Sequence, residues 1–487
     1  MQTQAESTVR HASLLLLQRA PYVVGGVAFG VLVPRLMGPE SYGVYSLLTS
    51  LSFGFSAATA LGVVQVVGRF APRFLVQQDR AGLARFFAQI LGFRIITGAA
   101  GAAAYLVLTL LWLREVDPLA LAAIAGVVSL RAAGEVIFAV FLGLGQAARW
   151  GFSDLLHRYL GLGGVVLGFA LGGLTGACLG LLAAEAVVLA IGLAWAGGKV
   201  AWRALRPRWP ALQPYMSFGI SFFASGLAMT LFQRSGEAIV RLFDGDYAQV
   251  GYFGLAHSVA LVGLTTTGQL AVSFAPFLAT LRDQGGEGAI RRWADRLLRV
   301  GAAAAVLAWY GAVLLGEHIV PAVFGRDYEI VAVLLIPLTL ALLPQVLGSL
   351  SRLLALAYER PDVALRAALL RLAVFWTLGP PLVLWGGALG AALAVPLASA
   401  VYAVYYTRRM RRVIDFPLRG LWRVLGLGAL FLPVALLRGG LAFDLALYLA
   451  LAALFALAGL RLGVVSRDEL AAVGRAVITW GRRSREI

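Results

Sequence analysis

The sequence predicts an all-α integral membrane protein of about fourteen transmembrane helices, built as two parallel-repeat six-helix bundles plus two extra helices. Three observations predict it. The chain is 60% hydrophobic and only 13% charged, with a mean hydropathy of +0.84. Its basic residues fall in short clusters between apolar runs, and its two halves share a sequence signature. Soluble domains are about half apolar and a quarter charged, so no water-soluble core accounts for this composition.

A helix of about 20 apolar residues crosses ~30 Å of hydrocarbon. Windows of that kind lie near 12–35, 44–68, 86–112, 119–147, 151–171 and 175–197, giving an N-terminal six-helix bundle over residues 1–198. A stretch rich in Arg, Trp and Pro follows, and 199–215 reads as a cytoplasmic linker. Six further windows, near 217–241, 249–279, 297–316, 330–357, 363–384 and 388–407, give a C-terminal bundle over 216–407. Two additional spans, near 421–437 and 441–460, occupy 408–461, and 462–487 is a basic cytoplasmic tail. The first apolar run is followed by more spans rather than by a small-residue cleavage site, so it is expected to be a retained helix.

A net charge of +17 would suggest nucleic acid in a soluble protein, but here it is a topology signal and no nucleic-acid partner is expected. With the N-terminus in the cytoplasm, thirty of the 41 Lys and Arg residues fall on cytoplasmic segments and six within spans. Only Arg35, Arg114, Arg241, Arg326 and Arg438 face outward. The alternation predicts an even number of spans and two cytoplasmic termini.

The halves share a signature where their first two spans meet. Arg35-Leu36-Met37 and Gly43-Val44-Tyr45-Ser46-Leu47 correspond to Arg241-Leu242-Phe243 and Gly251-Tyr252-Phe253-Gly254-Leu255. Six spans is an even number, so both halves would enter the membrane in the same sense, a symmetry suited to a transporter that rocks two bundles around a central site.

Charge within spans is the main functional signal, because an arginine at the bilayer centre costs roughly 2.5–3.5 kcal/mol on insertion scales. Arg94, Arg352 and Arg371 lie near cytoplasmic ends and are expected to snorkel to the headgroups. Arg19, Arg131 and Arg234 sit deeper and are the candidate binding residues for an anion. Guanidinium suits a phosphate or diphosphate, whose oxygens it binds in pairs. Arg131 and Glu135 are four apart, and Arg234 and Glu237 three apart, so each pair is equally well read as a structural ion pair. Glu185, midway along span six, is a candidate coupling residue or the partner of an arginine on another helix, and Glu237 is a second candidate for ion coupling. Thr266, Gln269 and His257 of span eight are candidates for lining the same cavity, with helix-to-helix hydrogen bonding the competing role. Gly164, Gly168, Gly172, Gly176 and Gly180 recur every fourth residue, a spacing that marks close helix packing.

Enzyme signatures are missing: the chain has no P-loop, His-Glu-x-x-His, Gly-x-Ser-x-Gly or dinucleotide fingerprint. No catalytic residue, metal site or cofactor is expected. Cys178 stands alone, which rules out an intrachain disulfide. Short loops leave no room for a soluble catalytic or ATPase domain, so energy is expected from a gradient, the membrane potential or a partner.

The segment Pro34-Arg35-Leu36-Met37-Gly38-Pro39-Glu40-Ser41-Tyr42-Gly43-Val44-Tyr45-Ser46-Leu47, with Phe141-Leu142-Gly143-Leu144-Gly145-Gln146-Ala147-Ala148-Arg149, resembles the Wzx-like oligosaccharide-lipid flippases. These form the polysaccharide branch of the multidrug/oligosaccharidyl-lipid/polysaccharide (MOP) exporter superfamily. The resemblance implies two six-helix bundles forming a V with a cationic cavity. It implies a protein of the bacterial inner membrane that carries a polyprenyl-diphosphate-linked glycan to the outer leaflet while the lipid tail stays in the bilayer. The implied partners are that glycan, membrane lipids, a monovalent ion (H+ or Na+), and a polymerase or other polysaccharide-assembly proteins. Glu237 stands near the place where such families often carry an Asp. The competing readings are a lipid II flippase of the same superfamily, a multidrug/cation antiporter, a membrane glycosyltransferase or polymerase, and a non-transporting scaffold.

Overall fold

A computed structural model describes the backbone of residues 2–144, 146–273 and 275–461. Side chains are described for residues 24–144, 146, 149–197, 199–210, 212–220, 223–264, 278, 280–360, 362–435 and 437–461. The chain divides into two compact units, Met1–Leu255 and Ala256–Ile487.

The first unit opens with α1 (Gln2–Ala60), whose helical geometry is interrupted at Gly38, where φ is 73°. Glycine takes this left-handed backbone without the Cβ clash that other residues suffer. Leu61 and Gly62 end the helix, and α2 (Val63–Val76) leaves at 46° to it. The apolar window expected as one span over 44–68 is therefore broken at Leu61 and Gly62. In α3 (Arg80–Trp112) the Asp79 carboxylate caps the first turn, accepting from the Gly82 amide at 2.7 Å. Asp117 caps α4 (Pro118–Gly143) in the same way through the Leu119 amide at 2.9 Å, and its other oxygen accepts from Thr175 at 2.7 Å.

The fifty residues of α5 (Ala147–Ala196) would extend about 75 Å as one helix, more than twice the hydrocarbon thickness. They fold instead into a hairpin at Gly172 (φ −150°) and Gly173 (φ 56°). The four-residue glycine spacing explains why the two arms close. A Cβ on Gly164 or Gly180 would strike the backbone of the other, and the same holds for Gly168 and Gly176. Then α6 (Trp209–Arg234) and α7 (Gly236–Phe243) meet at Ser235, and both pack on α1. The unit's core lies among α2, α3 and α4, around Val66, Phe87, Val136, Val140 and Phe141.

Helix α8 (Tyr247–Ser273) leads into the second unit, which continues with α9 (Ala275–Asp283), α10 (Glu287–Phe324), α11 (Ile330–Leu340), α12 (Leu342–Ala357) and α13 (Pro361–Met410). Like α5, α13 is fifty residues long and bends at a glycine pair, Gly386 (φ −146°) and Gly387 (φ 52°). Counted from the first residue of each helix, the two glycine pairs occupy the same positions. The two units thus carry the same helical hairpin. Leu171 and Trp385, the residues before each bend, are both exposed. The expected thirteenth span is a short α14 (Arg419–Leu430) followed by a 3-10 turn, and α15 (Leu441–Arg461) completes the unit. Both dock on α10 through Tyr310, Val424 and Phe455, and the Tyr310 hydroxyl donates to the Gly428 carbonyl at 2.7 Å.

Among the described residues, seven helices are long and apolar enough to cross a membrane, or up to nine if each of two bent pairs is one span. Because α5 and α13 are hairpins, each contributes two arms. The all-α membrane architecture is therefore as the sequence predicts, while the figure of fourteen spans stands as the reading of the sequence. Contacts within the first unit respect the alternation of loops. Glu115 of the α3–α4 loop meets Arg241 and Tyr247 near the α7–α8 turn. At the opposite helix ends, Gln89 accepts from the Arg208 amide at 3.0 Å.

Candidate functional site

Charged side chains on the helices of the first unit form an Arg94–Glu135 pair and a group of Arg131, Glu185 and His157, with Arg234 on α6 and Glu237 on α7. Arg94 of α3 is fully buried. Its Nη2 donates to Glu135 Oε2 at 3.0 Å and to the Ser56 carbonyl at 3.1 Å, while Nη1 donates to the Thr59 hydroxyl at 3.0 Å. Snorkelling is thus overturned for Arg94. A carboxylate and two α1 oxygens occupy its donors, and that satisfies the charge without reaching a headgroup.

Glu135 is consequently not the partner of Arg131, contrary to the i, i+4 expectation. Arg131 reaches across to the second arm of α5, where its Nε donates to Glu185 Oε1 at 2.8 Å. The other Glu185 oxygen lies 2.9 Å from Nδ1 of His157, on the first arm. Of the two roles open to Glu185, the structure shows the arginine partner. Arg131 Nη1 is buried with no hydrogen-bond partner among the described residues.

One aromatic ring joins the two deep arginines. The Arg131 guanidinium carbon lies 4.7 Å from the centroid of Phe53, and that of Arg234 lies 4.3 Å from the same centroid. The ring's negative face offsets part of the cost of holding two cations together, and a stacked guanidinium keeps its in-plane donors for an anion. Arg234 ends α6, and the break at Ser235 separates it from Glu237 of α7. Instead of closing a contact ion pair with Arg234, buried Glu237 accepts from Ser50 at 3.0 Å.

The second unit carries a different polar set in the same register. Arg371 stands in α13 where His157 stands in α5, and Ser399 stands where Glu185 does. Gln345 precedes α13 by as many residues as Arg131 precedes α5. Arg371 is buried, which overturns snorkelling here too, and it donates to Ser399 Oγ at 2.7 Å and to Gln345 Oε1 at 3.2 Å. The first unit's Arg131, His157 and Glu185 are thus matched by Gln345, Arg371 and Ser399, two neutral acceptors around one arginine.

His257 is buried on α8. Arg19, Thr266 and Gln269 lie outside the residues whose side chains are described. Sequence reasoning missed Phe53 and His157, while Ser50 stood in a polar strip of span two with Thr49, Ser52, Ser56, Thr59 and Gln65 that could line the same cavity. No local spacing marks Phe53 or His157, because α5 must fold at Gly172 before His157 and Glu185 can meet. Outside the membrane, the Tyr247 hydroxyl, 2.5 Å away, and the Arg241 guanidinium hold the Glu115 carboxyl below its ordinary range, against the opposing effect of partial burial.

The all-helical layout has the fold of membrane transporters of the MOP superfamily. An inward-facing multidrug resistance MATE family transporter of that superfamily aligns with a TM-score of 0.67 at 16% identity, covering 82% of this chain and 94% of its own. The lipid II flippase MurJ, in an inward closed conformation, aligns at 0.65 and 13% identity, covering 93% and 100%. A MOP superfamily transporter from Pyrococcus furiosus Vc1 (DSM3638), described by the reverse polarity of its binding pocket, aligns at 0.52 and 15% identity, covering 84% and 95%. The search of curated proteins finds no match. Residues 32–333, more than half of the chain, match the family model described as polysaccharide biosynthesis protein, and the chain belongs to that family.

Proposed function

We propose that this chain is a flippase that carries undecaprenyl-diphosphate-linked oligosaccharide from the cytoplasmic to the outer leaflet of the bacterial inner membrane, by alternating access. The glycan would serve O-antigen, capsule or exopolysaccharide synthesis. The observation that carries the reading is the pair of guanidiniums on Phe53, one of which presents a buried nitrogen without a hydrogen-bond partner among the described residues. Two planar cations at one ring suit a diphosphate, whose oxygens take paired donors. Arg94 is excluded from binding because its own network occupies it. Arg19 stays in the proposal as a third arginine, and Thr266, Gln269 and His257 as cavity-lining residues. Membership of the polysaccharide biosynthesis family supports the glycan as cargo.

Both termini would be cytoplasmic, which puts the tips of α5 and α13 outside. In that orientation the membrane potential, negative inside, favours outward movement of an anion by about 2.3 kcal/mol per charge per 100 mV. No enzymatic step is required of the chain. Glu237, which makes no salt bridge among the described residues, is the better candidate for coupling to H+ or Na+, while Glu185 is paired with Arg131. A polymerase or other assembly protein would receive the product.

In a strain dependent on this gene, Arg131→Ala with Arg234→Ala is expected to reduce surface polysaccharide at least about tenfold, as for loss of charge-assisted phosphate contacts, with membrane insertion unchanged. Arg→Lys at both positions should restore export only in part. Full export by the alanine double variant would overturn the reading. Loss of peptidoglycan synthesis in place of surface polysaccharide would reassign the cargo to lipid II.

A further inference from the structure

Between Glu185 and Glu237 the chain has no acidic residue, and Lys199, Arg203, Arg206 and Arg208 crowd into the connection between α5 and α6. That connection passes through two 3-10 turns, Gly197–Lys199 and Trp202–Ala204, and is pinned to α3. The Ala201 amide donates to the Ala84 carbonyl at 3.1 Å, and the Arg208 amide donates to Gln89 Oε1 at 3.0 Å. Between these two points the Leu205 carbonyl lies directly against Gly92, where a Cβ would overlap it. At the first residue of α6, the Trp209 ring centroid lies 6.4 Å from that of Phe93. The connection is thus a strap held along the first turns of α3.

The strap has two sides. Val200 is buried in the unit's core, and Ala201, Ala204 and Leu205 pack against that core. Trp202, Arg203, Arg206, Arg208 and Trp209 are exposed. None of the three arginine side chains makes a salt bridge or hydrogen bond among the described residues. The adjoining turn of α3 adds exposed Arg80 and Arg85, and the carboxylate that precedes them, Asp79, is engaged with the Gly82 amide.

We propose that the exposed side of the strap is a docking surface for anionic phospholipid. Arg203, Arg206 and Arg208 take the headgroup phosphates, whose oxygens a guanidinium binds in pairs. Trp202 and Trp209 seat at headgroup level, where an aromatic ring with one polar edge is at home. Charge complementarity selects the partner. A cationic strip without a carboxylate of its own attracts anionic lipid, and each arginine near such a surface is worth about fivefold in affinity. Zwitterionic lipid carries the same phosphate but cancels its charge with an amine, so it is held less firmly. An acidic protein segment would satisfy the arginines yet leave both tryptophan rings without an apolar seat. In the proposed orientation the surface faces the cytoplasmic leaflet, and the proposal does not depend on the cargo.

The test is native mass spectrometry of the full chain in detergent, titrated separately with dioleoyl phosphatidylglycerol and dioleoyl phosphatidylcholine. Wild type should bind phosphatidylglycerol more tightly, and raising the ionic strength should narrow the difference. The triple variant Arg203→Gln, Arg206→Gln, Arg208→Gln should weaken phosphatidylglycerol by about tenfold or more and leave phosphatidylcholine unchanged. Arg206→Gln alone should weaken it by up to about fivefold, and decides the matter if the triple variant is not recovered. A charge-matched control around the end of α13, Arg408→Gln, Arg409→Gln, Arg412→Gln, should keep the wild-type affinity. Equal affinity of wild type for the two lipids, unchanged phosphatidylglycerol binding in the strap variants, or the same loss in the α13 control would overturn the proposal.

Discussion

At the residue scale, what matters is which partner each buried charge finds. Fully buried Arg94 holds Thr59, the Ser56 carbonyl and the partly exposed Glu135 together, so its loss leaves several groups on two helices without their shared donor. Arg94→Ala should therefore lower the thermal unfolding midpoint of the purified protein sharply. Glu135→Gln, which keeps an acceptor on a partly exposed side chain, should lower it less. Equal midpoints for the two variants would show that Arg94 is not held as described. The sequence marked Arg94, Arg131, Arg234, Glu185 and Glu237 as unusual from their apolar surroundings alone. It mispaired them because spacing along one helix says nothing of a carboxylate on the next. Glu135 sits one turn from Arg131 yet serves Arg94, and Glu185 was reachable only through the α5 hairpin.

At the scale of the element, the α5 hairpin holds His157 and Glu185 together, and its closure depends on four glycines whose backbones touch. Gly180→Leu should push the arms apart and abolish recovery of monodisperse protein, whereas Leu171→Ser at the exposed tip should be tolerated. Size-exclusion profiles of the two variants check this. The four-residue glycine spacing made this packing legible, and Gly172-Gly173 stands at its bend. The matching Gly386-Gly387 of α13 was equally open to view, but its significance emerges only when both pairs take the same backbone angles. The break in the second span was not legible, because Val63, Val66 and Val67 continue the apolar run past Leu61 and Gly62. The loop contact of Glu115 with Tyr247 and Arg241 belongs to this scale too. A carboxyl held below its ordinary value of about 4.3 stabilises the fold above that pH and loses the contribution as pH falls through the lowered value. The unfolding midpoint should thus drop more steeply below about pH 4 in wild type than in Glu115→Gln.

For the whole molecule, composition and charge alternation were enough to predict a multi-pass helical membrane protein, because lipid imposes apolar length and loop charge imposes topology. What they could not supply is the polar chemistry within each unit. The orientation they predict can be read directly. In a Cys178→Ser background, single cysteines at Leu171 and Trp385 should both react with an impermeant maleimide from outside, and one at Arg203 should not. The central claim concerns cargo, and reconstitution tests it most directly. Proteoliposomes holding the purified chain should move a fluorescent undecaprenyl-diphosphate-linked oligosaccharide between leaflets, and the Arg131→Ala, Arg234→Ala variant should not. Movement no faster than in empty liposomes, with a control flippase active in the same preparation, would contradict the account.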